Sequence, residues 1–123
     1  MEKIKVVIVE PGKEAEIREI DATLETYQAM VGGYIECIYP FDDPVGLVCN
    51  EEGKNNCLPP NRCLLHKGKP YDVIAGTFFV VGLGEEDFIS LTDDLAEKYR
   101  VMYEQPEFLY VYDIDGIRME RRH

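Results

Sequence analysis

Residues 73–83, VIAGTFFVVGL, decide the class of fold. The run is apolar almost throughout and rich in β-branched and aromatic side chains, the signature of a strand covered on both faces at the centre of a sheet. Gly76 within it marks a bulge or a close approach of backbone. Working outward, Lys3 to Glu10 alternates as a strand with Ile4, Val6 and Ile8 on one face. Pro11-Gly12 supplies a turn, and Ala15 to Ile20 returns as an edge strand with Glu16 and Arg18 toward solvent. Tyr34 to Tyr39 and Val45 to Cys49 read as two more strands, the second with Val45, Leu47 and Cys49 sharing a face. Asn50 to Pro70 has no periodicity and reads as one long connection, a length that in compact domains often carries function.

Two helices complete the pattern. The first is capped by Asp21 or Thr23, runs to Met30 or Val31 with Leu24, Tyr27 and Val31 inward, and ends at Gly32-Gly33. The second starts near Ser90 or Thr92, has Asp93 and Asp94 in its first turn, and carries Leu95, Tyr99, Met102 and Tyr103 at helical spacing. Phe108 to Ile114 is a tyrosine-rich strand, and Asp115-Gly116 signals a hairpin before a short final strand from Ile117. The expected architecture is a single α+β domain over residues 1–123, with a mostly antiparallel or mixed sheet of about five to seven strands and two helices.

The chain has 123 residues, 24 Asp and Glu against 13 Lys and Arg, and a formal net charge of -11. So acidic a balance argues against direct nucleic-acid binding, which needs a basic footprint to displace counterions. It suits a soluble protein, or one that imitates the phosphate charge of DNA and occupies a DNA-binding protein. No run of about 18 apolar residues suggests a membrane span. The first residues, MEKIKVVIVEPGKE, read as a strand and not as an export signal, so the expectation is a cytoplasmic protein with reduced cysteines.

Against that charge, residues 54–69, KNNCLPPNRCLLHKGK, contain no acid. Asn50, Lys54, Asn61, Arg62 and Tyr71 form a candidate site for a small anionic or nucleotide-like ligand: amides to donate and accept, a guanidinium fork for phosphate or carboxylate, and a ring to stack. The internal alternative is that Arg62 pairs with native carboxylates and the asparagines satisfy turns. Cys49, Cys57, Cys63 and His66 are the right residue types for zinc, but only Cys63 and His66 have pair-like spacing, so no metal or other cofactor is expected. A hydrolase would need Cys63 or Cys57 activated by His66 and a third orienting group. The one serine, Ser90, reads as a helix cap, and His123 ends the chain. Gly82-Leu83-Gly84 lacks a third glycine and leads into Glu85, Glu86 and Asp87, a field that repels phosphate. Glu85, Glu86, Asp93 and Asp94 are instead candidates for a partner-facing acidic surface.

The phrases VVIVEPGKEAEIREI, VGGYIECIYPF, GLVCNEEGK, LPPNR, YDVIAGTFFVVG and EEDFISLTDD span most of residues 5–95. In this combination the chain resembles the bacterial and phage family known as domain of unknown function 3846. The resemblance implies a small protein that travels with plasmids, transposons and phages, and places residues 50–54 and 58–62 in the family's pattern. It leaves Cys57 and Cys63 outside that pattern and carries no catalytic residue. The expectation is a non-enzymatic binding or regulatory protein with an anion site in the 50–71 segment. The alternative is an acidic DNA mimic that blocks a host enzyme, and a small cysteine hydrolase is third.

Overall fold

The computed structural model describes residues 2–113 and 116–121, with side chains from 2 to 107. Its chain order is β1 (Lys3–Val9), β2 (Glu16–Asp21), α1 (Leu24–Val31), β3 (Ile35–Ile38), β4 (Val45–Asn50), β5 (Pro60–His66), β6 (Lys69–Ala75), β7 (Phe78–Leu83), β8 (Phe88–Ile89), α2 (Asp93–Met102), β9 (Glu107–Asp113) and β10 (Gly116–Arg121). The main sheet has six strands in the order β2-β1-β7-β4-β3, with β8 also on β7. Every pairing in it is antiparallel. β5 with β6 and β9 with β10 form two further antiparallel ribbons. The α+β expectation holds, with a six-stranded principal sheet. No helix among the described residues is long and apolar enough to cross a membrane.

Both faces of the sheet are covered, which is why its central strands are apolar without interruption. Ile4, Val6, Ile8, Val48, Phe79 and Val81 face α1, where Tyr27 and Val31 close one core. Val7, Val9, Val45, Leu47, Phe78 and Val80 face α2, where Ala96, Tyr99 and the following Tyr103 close the other, with Leu64 and Ile74 from the β5–β6 ribbon. Thr23 caps α1 by accepting from the Thr26 amide at 3.2 Å, and Gly32 ends it in the left-handed conformation. Thr92, not Ser90, caps α2; the Ser90 hydroxyl instead accepts from the Lys5 amide at 2.8 Å and ties the helix entry to β1. Leu24 and Met102, expected inward, are half exposed.

Two expectations are corrected by the fold. Residues 73–83 are not one strand: the chain breaks at Gly76-Thr77, so β6 leaves for the ribbon and β7 takes the sheet's centre. Gly76 has φ +82, and a Cβ there would stand 2.7 Å from the Leu58 side chain, so both its conformation and its packing call for glycine. Asn50 to Pro70 is not one loop either. β5 and β6 pair through a two-residue turn at Lys67-Gly68, both with positive φ, which matches the right-handed twist of the strands. Only residues 51–59 remain irregular. Ile114, Asp115 and His123 lie outside the described residues.

Candidate functional site

The five residues expected to form an anion site are divided by the fold. Arg62 sits on β5 with no exposed surface, among the largest fully buried side chains of the molecule. Its Nη1 donates to Asn61 Oδ1 at 2.8 Å, and its Nη2 donates to the carbonyls of Lys13 at 2.6 Å and Tyr103 at 2.8 Å. A guanidinium at the carbonyl end of α2 also answers the negative pole of that helix. Asn61, equally buried, donates to the carbonyls of Val9 and Gly76 at 2.9 Å each. Together the pair fastens β5 to the end of β1, the turn after it, the β6–β7 break and the end of α2. These are structural bonds that satisfy buried carbonyls, and they direct the guanidinium inward.

Asn50 and Lys54 do share a cleft of about 260 Å³ between the end of β4, the 51–57 turns and β6. Asn50 is itself committed to the fold: its amide donates to the Val31 carbonyl at 3.1 Å and its Oδ1 accepts from the Glu52 amide at 2.7 Å. Lys54 forms an ion pair with Asp72. Glu36, Glu51 and Glu52 also line the cleft, so the one base among its lining residues faces four carboxylates. Gly53 lets the floor close up, since a Cβ there would stand 2.7 Å from the Ala75 carbonyl oxygen. Tyr71 lies elsewhere, half exposed, with His66, Leu65 and Pro40 around a separate hollow.

The cysteines and His66 do not assemble into a metal centre. Cys49 and Cys63 are buried, Cys57 and His66 are exposed, and no group of three or more His, Cys, Asp or Glu suited to a metal occurs among the described residues. Burial, reinforced by the Glu36 carboxylate, pushes the Cys49 thiol up to about 11, the opposite of a nucleophile's activation. Cys63 is 4% exposed, and its backbone amide donates to the Glu107 carboxylate at 2.8 Å.

The acidic candidates are also divided. Asp93 forms an ion pair with Lys5, which holds its carboxyl below the usual range. Glu85, Glu86 and Asp87 occupy the tight turn from β7 to β8, closed by the Gly84 amide on the Asp87 carbonyl at 2.9 Å. These three and Asp94 are exposed and carry no ion pair among the described residues. Beside that turn is a groove of about 430 Å³ with Tyr27 and Phe88 in its floor, a feature that required α1 and β8 to be brought together. The sequence showed Tyr27 only as part of an inward helical stripe, and nothing in its neighbours pointed to the groove.

No curated protein and no solved structure matches the chain. A family profile does, over residues 4–104, covering the main sheet except Lys3, both helices and the β5–β6 ribbon. The chain belongs to the family described as Domain of unknown function (DUF3846).

Proposed function

We propose that the protein is a non-enzymatic binding module whose acidic face occupies the basic surface of a protein partner, as the phosphates of DNA would. One observation carries this reading: the charges do not balance where they are exposed. Among the described residues with side chains, Lys3, Lys5, Lys13, Arg18, Lys54, Lys98 and Arg100 are held in ion pairs and Arg62 is interior, which leaves only Lys67 and Lys69, at the tip of the β5–β6 ribbon, exposed without one. Glu85, Glu86, Asp87 and Asp94 have no such counter-ion among the described residues, so their field is open to a partner. The resemblance to proteins of phages and plasmids fits a role in the bacterial cytoplasm against a host DNA-binding protein.

The test is displacement of fluorescent duplex DNA from a panel of purified bacterial DNA-binding proteins. Displacement by the native protein, lost in the E85Q/E86Q/D87N/D94N variant and weakened by added salt, is the expected result. No displacement anywhere on the panel, or an unchanged effect of the quadruple variant, overturns it.

A second reading is favoured by the cleft that holds Asn50 and Lys54. A small ligand with an anionic group would meet Lys54 there, and its polar or cationic remainder would meet Glu36, Glu51, Glu52 and Asp72. Native mass spectrometry of the gently purified protein tests it: an added mass that is lost on denaturation, and lost in Lys54→Met, supports the cleft. A bare subunit mass together with no binding of added nucleotides sinks it.

A further inference from the structure

The groove beside the β7–β8 turn is lined by a tyrosine whose hydroxyl makes no hydrogen bond among the described residues. Tyr27, on α1, is 8% exposed. Its ring is wedged between Phe79 and Phe88, with centroids 5.6 and 5.3 Å away. A tyrosine with a buried ring and a solvent-facing hydroxyl offers an apolar body and a polar tip to a ligand. Here the ring is buried while the hydroxyl, with no hydrogen bond to another described residue, keeps contact with solvent, and Tyr27 lines the groove. The Tyr27 hydroxyl is raised above its ordinary pKa by burial and then by the negative charges of Asp87 and Glu2, which places both carboxylates within its field.

The surroundings specify what would answer that hydroxyl. Glu2, Glu86 and Asp87 stand at the rim, with no base among the groove's lining residues. Leu24 and Ile35 supply apolar walls, and Leu24 is 54% exposed at a helical position expected to be inward. A site with aromatic and aliphatic walls, an acceptor at its floor and carboxylates at its rim excludes anions. It equally disfavours a plain hydrocarbon, which would leave the hydroxyl and the rim desolvated. Arginine meets all of these conditions at once. Its stem lies along apolar walls, its planar guanidinium stacks on aromatic faces, and its five donors fit carboxylates and a hydroxyl together.

We propose that the groove formed by Tyr27, Phe88, Glu86 and Asp87 receives an arginine side chain projecting from the basic partner. The inference rests on the acidic-face reading and gives it a point of attachment: the turn carboxylates attract the partner over distance, and the groove fixes its register. A volume of about 430 Å³ is larger than one side chain needs, so the residues flanking the arginine enter with it.

The experiment is an NMR titration of the isotope-labelled protein with a blocked Leu-Arg-Leu-Arg tetrapeptide, beside its citrulline counterpart, which keeps the shape and removes the charge. Expected are shifts centred on the amides of Tyr27, Ile35 and Phe88, and at least tenfold weaker binding of the citrulline peptide. Tyr27→Phe keeps the ring and should weaken the arginine peptide about threefold, and E86Q/D87N at least tenfold. Shifts centred elsewhere, equal binding of the two peptides, or unchanged affinity in both variants overturn the proposal. The peptide pair decides the matter even if a variant folds poorly. DNA displacement that is intact in the native protein while the tetrapeptide misses the groove removes the groove alone; loss of both removes the acidic-face reading as well.

Discussion

Replacing Arg62 with methionine separates a structural guanidinium from a ligand-binding one. Methionine keeps an unbranched stem of similar reach and removes every donor. It would leave Asn61 Oδ1 and the carbonyls of Lys13 and Tyr103 without the bonds now made at 2.6 to 2.8 Å. A buried acceptor stripped of its donor costs about 1–3 kcal/mol, so three of them set a gross loss of roughly 3–9 kcal/mol. Part is returned, because the chain no longer has to desolvate a cation with no exposed surface. A net loss of about 3–4 kcal/mol follows, a large share of the roughly 6–18 kcal/mol expected for a domain of this length.

Urea unfolding followed by circular dichroism reads the loss directly. With a slope of about 2 kcal/mol per molar, the midpoint should fall by roughly 1.5–2 M. The melting temperature should fall by about 10–15 °C. Arg62→Lys should recover about half of the loss, since an ammonium at the end of a shorter reach cannot serve both the Lys13 and Tyr103 carbonyls with fixed geometry. A methionine variant within about 1 kcal/mol of the native protein would refute the argument, and coupled with a lost ligand it would return Arg62 to the anion site.

Three other expectations follow from the same geometry. Under native conditions near pH 8, iodoacetamide should label Cys57, the one exposed thiol, rapidly, while Cys49 and Cys63 should react only after denaturation; mass mapping that finds Cys63 as reactive as Cys57 would revive the hydrolase reading. Gly53→Ala should lower stability by about 1–3 kcal/mol in urea, because its Cβ would press on the Ala75 carbonyl oxygen, and a neutral or stabilising result would show that the 51–57 turns yield. Hydrogen bonds from Lys98 and then from Tyr99 hold the Asp43 carboxyl below its usual range, so its contribution is present above the unfolded value near 4 and is lost as pH falls through the lower folded one. Asp43→Asn should therefore flatten the fall in stability below about pH 4, and an unchanged acid limb would count against that pairing.

What the sequence disclosed depended on whether a feature is contiguous or assembled. The faces of β1 were legible because alternation is local: Ile4, Val6 and Ile8 do share one core. The helix starts were legible to within two residues, as Asp21 or Thr23 and as Ser90 or Thr92, and the caps are Thr23 and Thr92. The break at Gly76 was hidden by hydrophobic continuity, since both halves of residues 73–83 are buried although they belong to different sheets. The β5–β6 ribbon was hidden by the opposite effect. Its tip is exposed and basic, and Lys67 takes a left-handed conformation that the usual turn residues would have announced.

The same distinction governs the candidate sites. A run of basic residues in an acidic chain invites an anion only while each charge is counted without its tertiary neighbours. Lys54 meets Asp72 because β6 returns beside it, and Arg62 meets the end of α2, forty-one residues further along the chain. The first pairs a cation that stays at the surface, the second buries one, and neither has a local signature. The acids at 85–87 behave differently, because a tight turn holds three consecutive carboxylates outward with no chain opposite to neutralise them. Their exposure was therefore legible, and the groove beneath them was not, because Tyr27 and Phe88 are sixty-one residues apart and become neighbours only when α1 packs against the sheet. Local pairs such as Arg18 with Glu16 and distant ones such as Lys3 with Asp21 both stay at the surface, Arg62 alone is drawn inside, and the acids at 85–87 keep their charge without an ion pair among the described residues. That unpaired run of carboxylates is the physical reason the proposed partner is sought among basic surfaces.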